Sequence, residues 1–148
     1  MDKYDFMRLA LEQARLSADE GEVPVGAVVV RNGEVVSYGR NRREKEKNAL
    51  CHAEIEAIDK ACKALGGWRL WECEMYVTLE PCPMCAGGIV LARPETVIWG
   101  VSDPKRGGGT TFGIFNHPGI NHHPEIITGV LETESKAILQ EFFQSRRK

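Results

Sequence analysis

The run Glu74-Met75-Tyr76-Val77-Thr78-Leu79-Glu80-Pro81-Cys82-Pro83-Met84-Cys85 decides how the chain is read, together with His52-Ala53-Glu54 upstream. Glu74 to Leu79 is apolar and β-branched enough for a central strand. Glu80-Pro81 breaks it, and proline suits the first turn of a following helix. Cys82 and Cys85, three apart, then share one face of that helix. Upstream, Ile55, Ile58, Cys62 and Leu65 recur at helical spacing, and Gly66-Gly67 ends the run. His52 therefore sits at or near a helix start, with Glu54 one turn inside. Two helix starts meeting end-on would bring one imidazole and two thiols together.

That donor set has a chemical meaning. Zn²⁺ favours thiolate and imidazole ligands in tetrahedral geometry, and a catalytic site keeps its fourth position for water. Helix N-termini carry unpaired N–H groups and the positive end of the dipole, so thiolates form more easily there. Zinc can lower the pKa of its water to about 7. Glu54 is too short and too close to His52 to be a natural fourth ligand. As a free carboxylate it can move a proton from that water to a substrate. Other readings stay open. A C-x-x-C alone also suits a structural knuckle or a redox pair, and Cys51, next to His52, could complete a closed four-ligand site. Cys62 and Cys73 read as small packing residues.

Composition narrows the classes. The 148 residues suffice for one domain with a core, and we expect a single domain over 1–148. Apolar content of 43% and charged content of 27% are ordinary for a globular chain. A net charge of −2 means that any nucleic-acid contact must come from local patches. No apolar run approaches a membrane span, and Met1 to Arg8 carries no apolar signal core. Five cysteines with one tight pair argue against a disulfide scaffold and for a reduced, cytoplasmic compartment.

Outward from the centre, Phe6, Met7, Ala10, Leu11 and Ala14 predict an amphipathic N-terminal helix. Val23 to Val30 predicts a buried strand with Pro24 confined to its start. Asn32-Gly33 is a two-residue hairpin signal, and Glu34 to Arg40 the return strand. Arg40 to Lys47 reads as a polar loop, either simply solvated or in contact with phosphate. Asn41 within it can donate and accept, for a ligand or for a turn. Gly87 and Gly88 would let their helix lie close to a neighbour. Thr96 to Val101 and Glu125 to Thr128 predict two more strands. Between them Ser102 to Pro124 is irregular, holding Gly107-Gly108-Gly109 and His117, His122 and His123, and a loop this long is more often functional than accidental. These histidines read first as loop hydrogen-bonders, with a pocket lid as the alternative. Ile138, Leu139, Phe142 and Phe143 form a helical stripe from about Glu132, ending in Arg146-Arg147-Lys148. Strands alternating with helices indicate a layered α/β fold.

The pattern His-x-Glu followed by Pro-Cys-x-x-Cys is shared by zinc-dependent nucleobase deaminases. On it the chain resembles the cytidine-deaminase-like superfamily, and within it the bacterial tRNA-specific adenosine deaminases. The likeness spans nearly the whole chain: Glu22-Val23-Pro24-Val25-Gly26-Ala27, Gly39-x-Asn41, His52-Ala53-Glu54-Ile55, Trp68-Arg69-Leu70, Tyr76 to Cys82, His117-Pro118-Gly119, Gly129-Val130-Leu131 and Phe142-Phe143-x-x-Arg146-Arg147. The resemblance implies a three-layer α/β/α fold with a five-stranded mixed sheet between helices. It implies zinc on His52, Cys82 and Cys85, proton transfer by Glu54, and a flipped-out base held by Asn41 and the backbone around Ala53. The expected substrate is the wobble adenosine of a tRNA anticodon stem-loop, converted to inosine by a homodimer. Candidate RNA contacts are Arg42, Lys105, Arg106, Arg146 and Arg147. The role of Gly107 to Phe115 stays open. Competing expectations are a deaminase of a free base or nucleoside, such as guanine or cytosine, and a non-catalytic RNA-binding module held by structural zinc.

Overall fold

The computed structural model describes residues 1–146. Helix α1 (Lys3–Asp19) starts at Asp2, whose carboxylate accepts from the backbone N–H groups of Tyr4 and Asp5 while Asp5 caps back. Its buried face is Phe6, Met7, Ala10, Leu11 and Ala14, as the periodicity predicts. Strands β1 (Gly26–Arg31) and β2 (Glu34–Arg40) form the expected hairpin. Asn32 and Gly33 take φ of 52° and 77°, the left-handed pair that such a turn demands. A one-turn helix α2 (Arg43–Glu46) interrupts the polar loop, and α3 (Ala53–Leu65) follows, closed by Gly66 at φ 75°. Then come β3 (Cys73–Leu79), α4 (Pro83–Ala92), β4 (Thr96–Val101), a 3₁₀ turn at Ile114–Asn116, β5 (Glu125–Thr128) and α5 (Glu132–Ser145).

The five strands run in the order β2-β1-β3-β4-β5. The β1 pairings are antiparallel, whereas β3–β4 and β4–β5 are parallel. Parallel neighbours need crossovers, which α4 supplies after β3 and the long irregular segment supplies after β4. Alternation splits β1 between the two faces. Ala27 and Val29 pack with Ala57, Met75, Val77 and Ile89 against α3 and α4. Val28 and Val30 pack with Phe6, Met7, Tyr76 and Ile98 under α1. Ile138 of α5 joins Leu11 and Ala14 on that second side. The fold is thus a three-layer α/β/α sandwich around a five-stranded mixed sheet.

One expected boundary moves. β1 begins at Gly26, not Val23. The carbonyls of Val23 and Val25 are taken by the Asn41 side chain and backbone, so this segment is spent on a local turn and not on the ladder. Two glycines set the helix–sheet spacing: a Cβ at Gly26 would overlap Ala10 O of α1, and one at Gly39 would overlap Ala53 O of α3. β2 therefore lies directly on the first turn of α3. Among the described residues no helix is long and apolar enough to cross a membrane.

Candidate active site

His52 is the N-cap of α3 and Cys82 the N-cap of α4. Both have extended backbones, and neither uses its side chain to cap its own helix. Pro83 takes the first helical position, where its missing N–H costs nothing. Cys85, one turn in, is fully buried. The two helices start at the same end of the sheet, so the three side chains converge. Their donor atoms all lie within 4.8 Å of one another. His52 Nδ1 stands 3.6 Å from Cys82 Sγ and 3.5 Å from Cys85 Sγ. A tetrahedral ion with Zn–S and Zn–N bonds of ordinary length separates its nitrogen and sulfur ligands by about 3.6 Å. The donor set and its spacing both fit zinc.

Charge in the cluster is unevenly held. The Cys82 thiol is pulled down to about 4, chiefly by its hydrogen bond with Cys85 and further by His52. Cys85 is pushed the other way by the same bond to Cys82 and by burial. The His52 ring is raised, first by its hydrogen bond with Cys82. Glu54 is 4% exposed, and burial pushes its carboxyl up to about 7. Cys51 is not in the cluster. It lines a separate groove with Leu50 and Ile55, and its carbonyl accepts from Arg42 N.

Beside the donors is a cavity of about 150 Å³, the size at which an apolar cavity takes up one benzene ring. Val23, Val25 and Leu79 give it apolar walls, and Glu54, Asn41 and Ala53 line it with His52 and Cys82. Asn41 is already engaged: its Nδ2 donates to Val23 O at 3.1 Å, and its Oδ1 accepts from Arg43 N at 3.4 Å. Asn41 thus ties the turn and also lines the cavity.

The candidate RNA contacts separate. Arg106 lines the cavity and Lys105 is exposed next to it, both turned by Asp103, whose Oδ1 accepts from their backbone N–H groups. Arg42 does not line it. Its guanidinium pairs with Glu56 at 3.0 Å, and its neighbour Arg43 takes the place at the rim. Arg146 donates to Gly21 O and lies over the Phe142 ring, and it does not line the cavity. Arg147 and Lys148 lie outside the described residues. His117, His122 and His123 are not among the residues that line the cavity. His122 and His123 hydrogen-bond the carbonyls of Pro94 and Phe115, and His117 Nδ1 accepts from Gly119 N. Reading the sequence missed Val23, Val25, Arg43, Leu79, Glu80 and Asp103 as lining groups. The basic loop signalled Arg43 only as one of several cations.

A profile of the MafB19-like deaminases matches residues 1–147. The chain belongs to that deaminase family. The tRNA-specific adenosine deaminase of Bacillus subtilis (strain 168) is 48% identical over 144 residues, covering 97% of this deaminase and 89% of the relative. A solved structure of a tRNA:A34 deaminase, studied for A-to-I editing at the wobble position of transfer RNA, is 43% identical with a TM-score of 0.88. That superposition covers 91% of this chain and 99% of the other. The guanine deaminase of Bacillus subtilis is also similar, at 29% identity and a TM-score of 0.68, covering 100% of this deaminase and 98% of that chain.

Proposed function

We propose that this deaminase hydrolyses the wobble adenosine of a tRNA anticodon stem-loop to inosine, using zinc held by His52, Cys82 and Cys85. The observation that carries the reading is a His-Cys-Cys donor cluster opening onto a cavity that also contains Glu54, in a chain 48% identical to a tRNA-specific adenosine deaminase. When bound, zinc supplies the Lewis acidity that makes water nucleophilic at neutral pH. The residues around it do the remaining work. Val23, Val25 and Leu79 offer apolar surface to the faces of a base taken out of the stack. Asn41 and the backbone at Ala53 orient its polar edge. Glu54, buried and pushed up to about 7, takes one proton from water and passes it to the ring nitrogen, then takes the second from the new hydroxyl at C6 and passes it to the departing amine. Water is consumed, the C6–N bond breaks, a C6–O bond forms and ammonia leaves. An anticodon loop presents its bases already unpaired, which lowers the cost of extrusion.

The protein is expected to convert the wobble adenosine of its cognate anticodon stem-loop to inosine, read by nuclease digestion and mass spectrometry. Ammonia released from guanine, cytosine or free nucleosides, with the RNA untouched, would instead establish the small-molecule reading. Five free cysteines and a tRNA substrate support a cytoplasmic site of action.

A homodimer completes the reading. Helix α4 carries apolar groups to the surface: Leu91 is 74% exposed, Met84 is exposed, and Gly87 faces open space. Trp68 and Leu91 border one depression, and Leu50 and Ile55 another. An apolar surface of this kind suits an isologous contact with a second copy. The protein should sediment as a dimer, and Leu91→Glu as a monomer. A wild-type protein that sediments as a monomer at micromolar concentration refutes the dimer.

A further inference from the structure

Two carboxylates are left unused by the proposed chemistry: Glu80, which lines the cavity, and Glu22, which is bonded to the segment that follows the lining residue Arg43. Glu22 and Glu80 are each only 2% exposed. Among the described residues neither has a cation within ion-pair distance. Taking a carboxylate out of water without a cation is costly unless other donors replace the solvent. Here backbone amides replace it. Glu80 Oε1 accepts from Asp103 N and Thr110 Oγ1, both at 2.8 Å. Its Oε2 accepts from Gly109 N at 3.1 Å and Thr110 N at 2.6 Å. Glu22 accepts from Glu44 N at 3.0 Å and Lys45 N at 2.8 Å.

Each carboxylate grips a segment that carries a rim cation. Arg106 lies inside the loop that Glu80 closes from Asp103 to Thr110. Arg43 immediately precedes the two amides that Glu22 holds. No carboxylate among the described residues pairs with Arg43, Lys105 or Arg106, so these charges stay available. The clamp also accounts for the run Gly107-Gly108-Gly109. A Cβ at Gly107 would overlap Glu80 Oε1, and one at Gly108 would press on Ala86 Cβ at 2.5 Å. Gly108 N also donates to Pro81 O at 2.7 Å, fastening the loop to the residue before the ligand Cys82. The loop is glycine there because its backbone lies flat on Glu80 and the first turn of α4.

We propose that Glu80 and Glu22 are positioning residues that preset Arg106 and Arg43 at the cavity mouth to take the phosphates flanking one extruded nucleotide. The inference rests on the RNA reading above and specifies it: the substrate is an internal nucleotide of a strand, gripped through its backbone. A free base lacks those phosphates and would gain nothing from the clamps.

The test is steady-state kinetics on the anticodon stem-loop at several salt concentrations. Glu80→Gln places an amide nitrogen where an acceptor is needed. It should raise KM about tenfold while kcat stays within about twofold, because the group acts on binding and not on the reacting atoms. Gly107→Ala keeps the carboxylate and lifts the loop from it, so it should reproduce the effect. Glu22→Gln should do the same through Arg43. Each variant should flatten the slope of log KM against log salt by about 0.7, the share of one single-strand phosphate. Arg106→Ala should cost little more in the Glu80→Gln background than alone is lost by either change. Unchanged KM and salt slope in Glu80→Gln and Gly107→Ala, or a fall in kcat in place of a rise in KM, overturns the inference while the RNA reading stands. A wild-type enzyme inert on the stem-loop overturns the RNA reading and this inference with it.

Discussion

Glu54→Gln is expected to slow deamination of the stem-loop by about 10³-fold or more while holding as much metal as the parent protein. The carboxyl is no member of the His52-Cys82-Cys85 cluster, so its loss removes proton transfer and leaves the donors in place. Turnover assays paired with elemental analysis check this. Activity near the parent level would remove Glu54 from the mechanism. A second consequence concerns stability. Burial raises the Glu54 carboxyl from 4.5 to about 7 in the folded protein. A carboxyl whose folded pKa exceeds its unfolded one contributes stability below the unfolded value, and this is lost as pH rises through the folded value. In chelator-treated protein the contribution is therefore full below pH 4.5 and fades by pH 7, a loss of about 3 kcal/mol. Glu54→Gln has no such group. The stability difference between variant and parent should grow in the variant's favour from pH 5 to pH 7, read from denaturant midpoints. A pH-independent difference would mean that the carboxyl is not held in its neutral form by burial.

Removing the metal should lower the melting temperature of the parent protein by about 10 °C, and Cys85→Ala should melt at the lower temperature with or without chelator. Ligands that bind only the folded state stabilise it by mass action, about 4 kcal/mol when present at a thousand times Kd. In a chain of this size each kcal/mol moves the midpoint by about 3 °C. Cys85 is fully buried and contributes one of the two sulfurs, so its loss leaves an incomplete donor set around a small void. His52→Ala should behave alike, because its Nδ1 faces both sulfurs. Calorimetry with and without chelator, together with metal content, decides the matter. A parent protein indifferent to chelator, or a Cys85→Ala protein that retains its metal, would contradict the assignment of the cluster.

Much of the candidate site can be read along the chain because its signals are local. Helix starts at His52 and Cys82 follow from apolar periodicity and from a proline at the first helical position. The Asn32-Gly33 turn follows from the two left-handed residues it needs. The same periodicity places the buried face of α1 correctly. The choice between Arg42 and Arg43 is not local. The two differ by one step along an irregular backbone, and only the pairing of Arg42 with Glu56 on α3 decides which of them reaches the cavity. Nor can the sequence assign His122 and His123 of the long loop, whose partners are carbonyls of residues up to twenty-eight positions away.

By itself, then, the order of residues determined the element types, the donor chemistry and which atoms could serve as ligands, since turn chemistry and side-chain period act between near neighbours. Tertiary structure alone decided that Cys51 stays out of the cluster, that Glu54 is buried far enough to hold its proton near neutrality, and that Glu22 and Glu80 grip the two rims. Those outcomes depend on how deeply a group is withdrawn from water and on which distant amides face it, and both are fixed only when the helices pack onto the sheet.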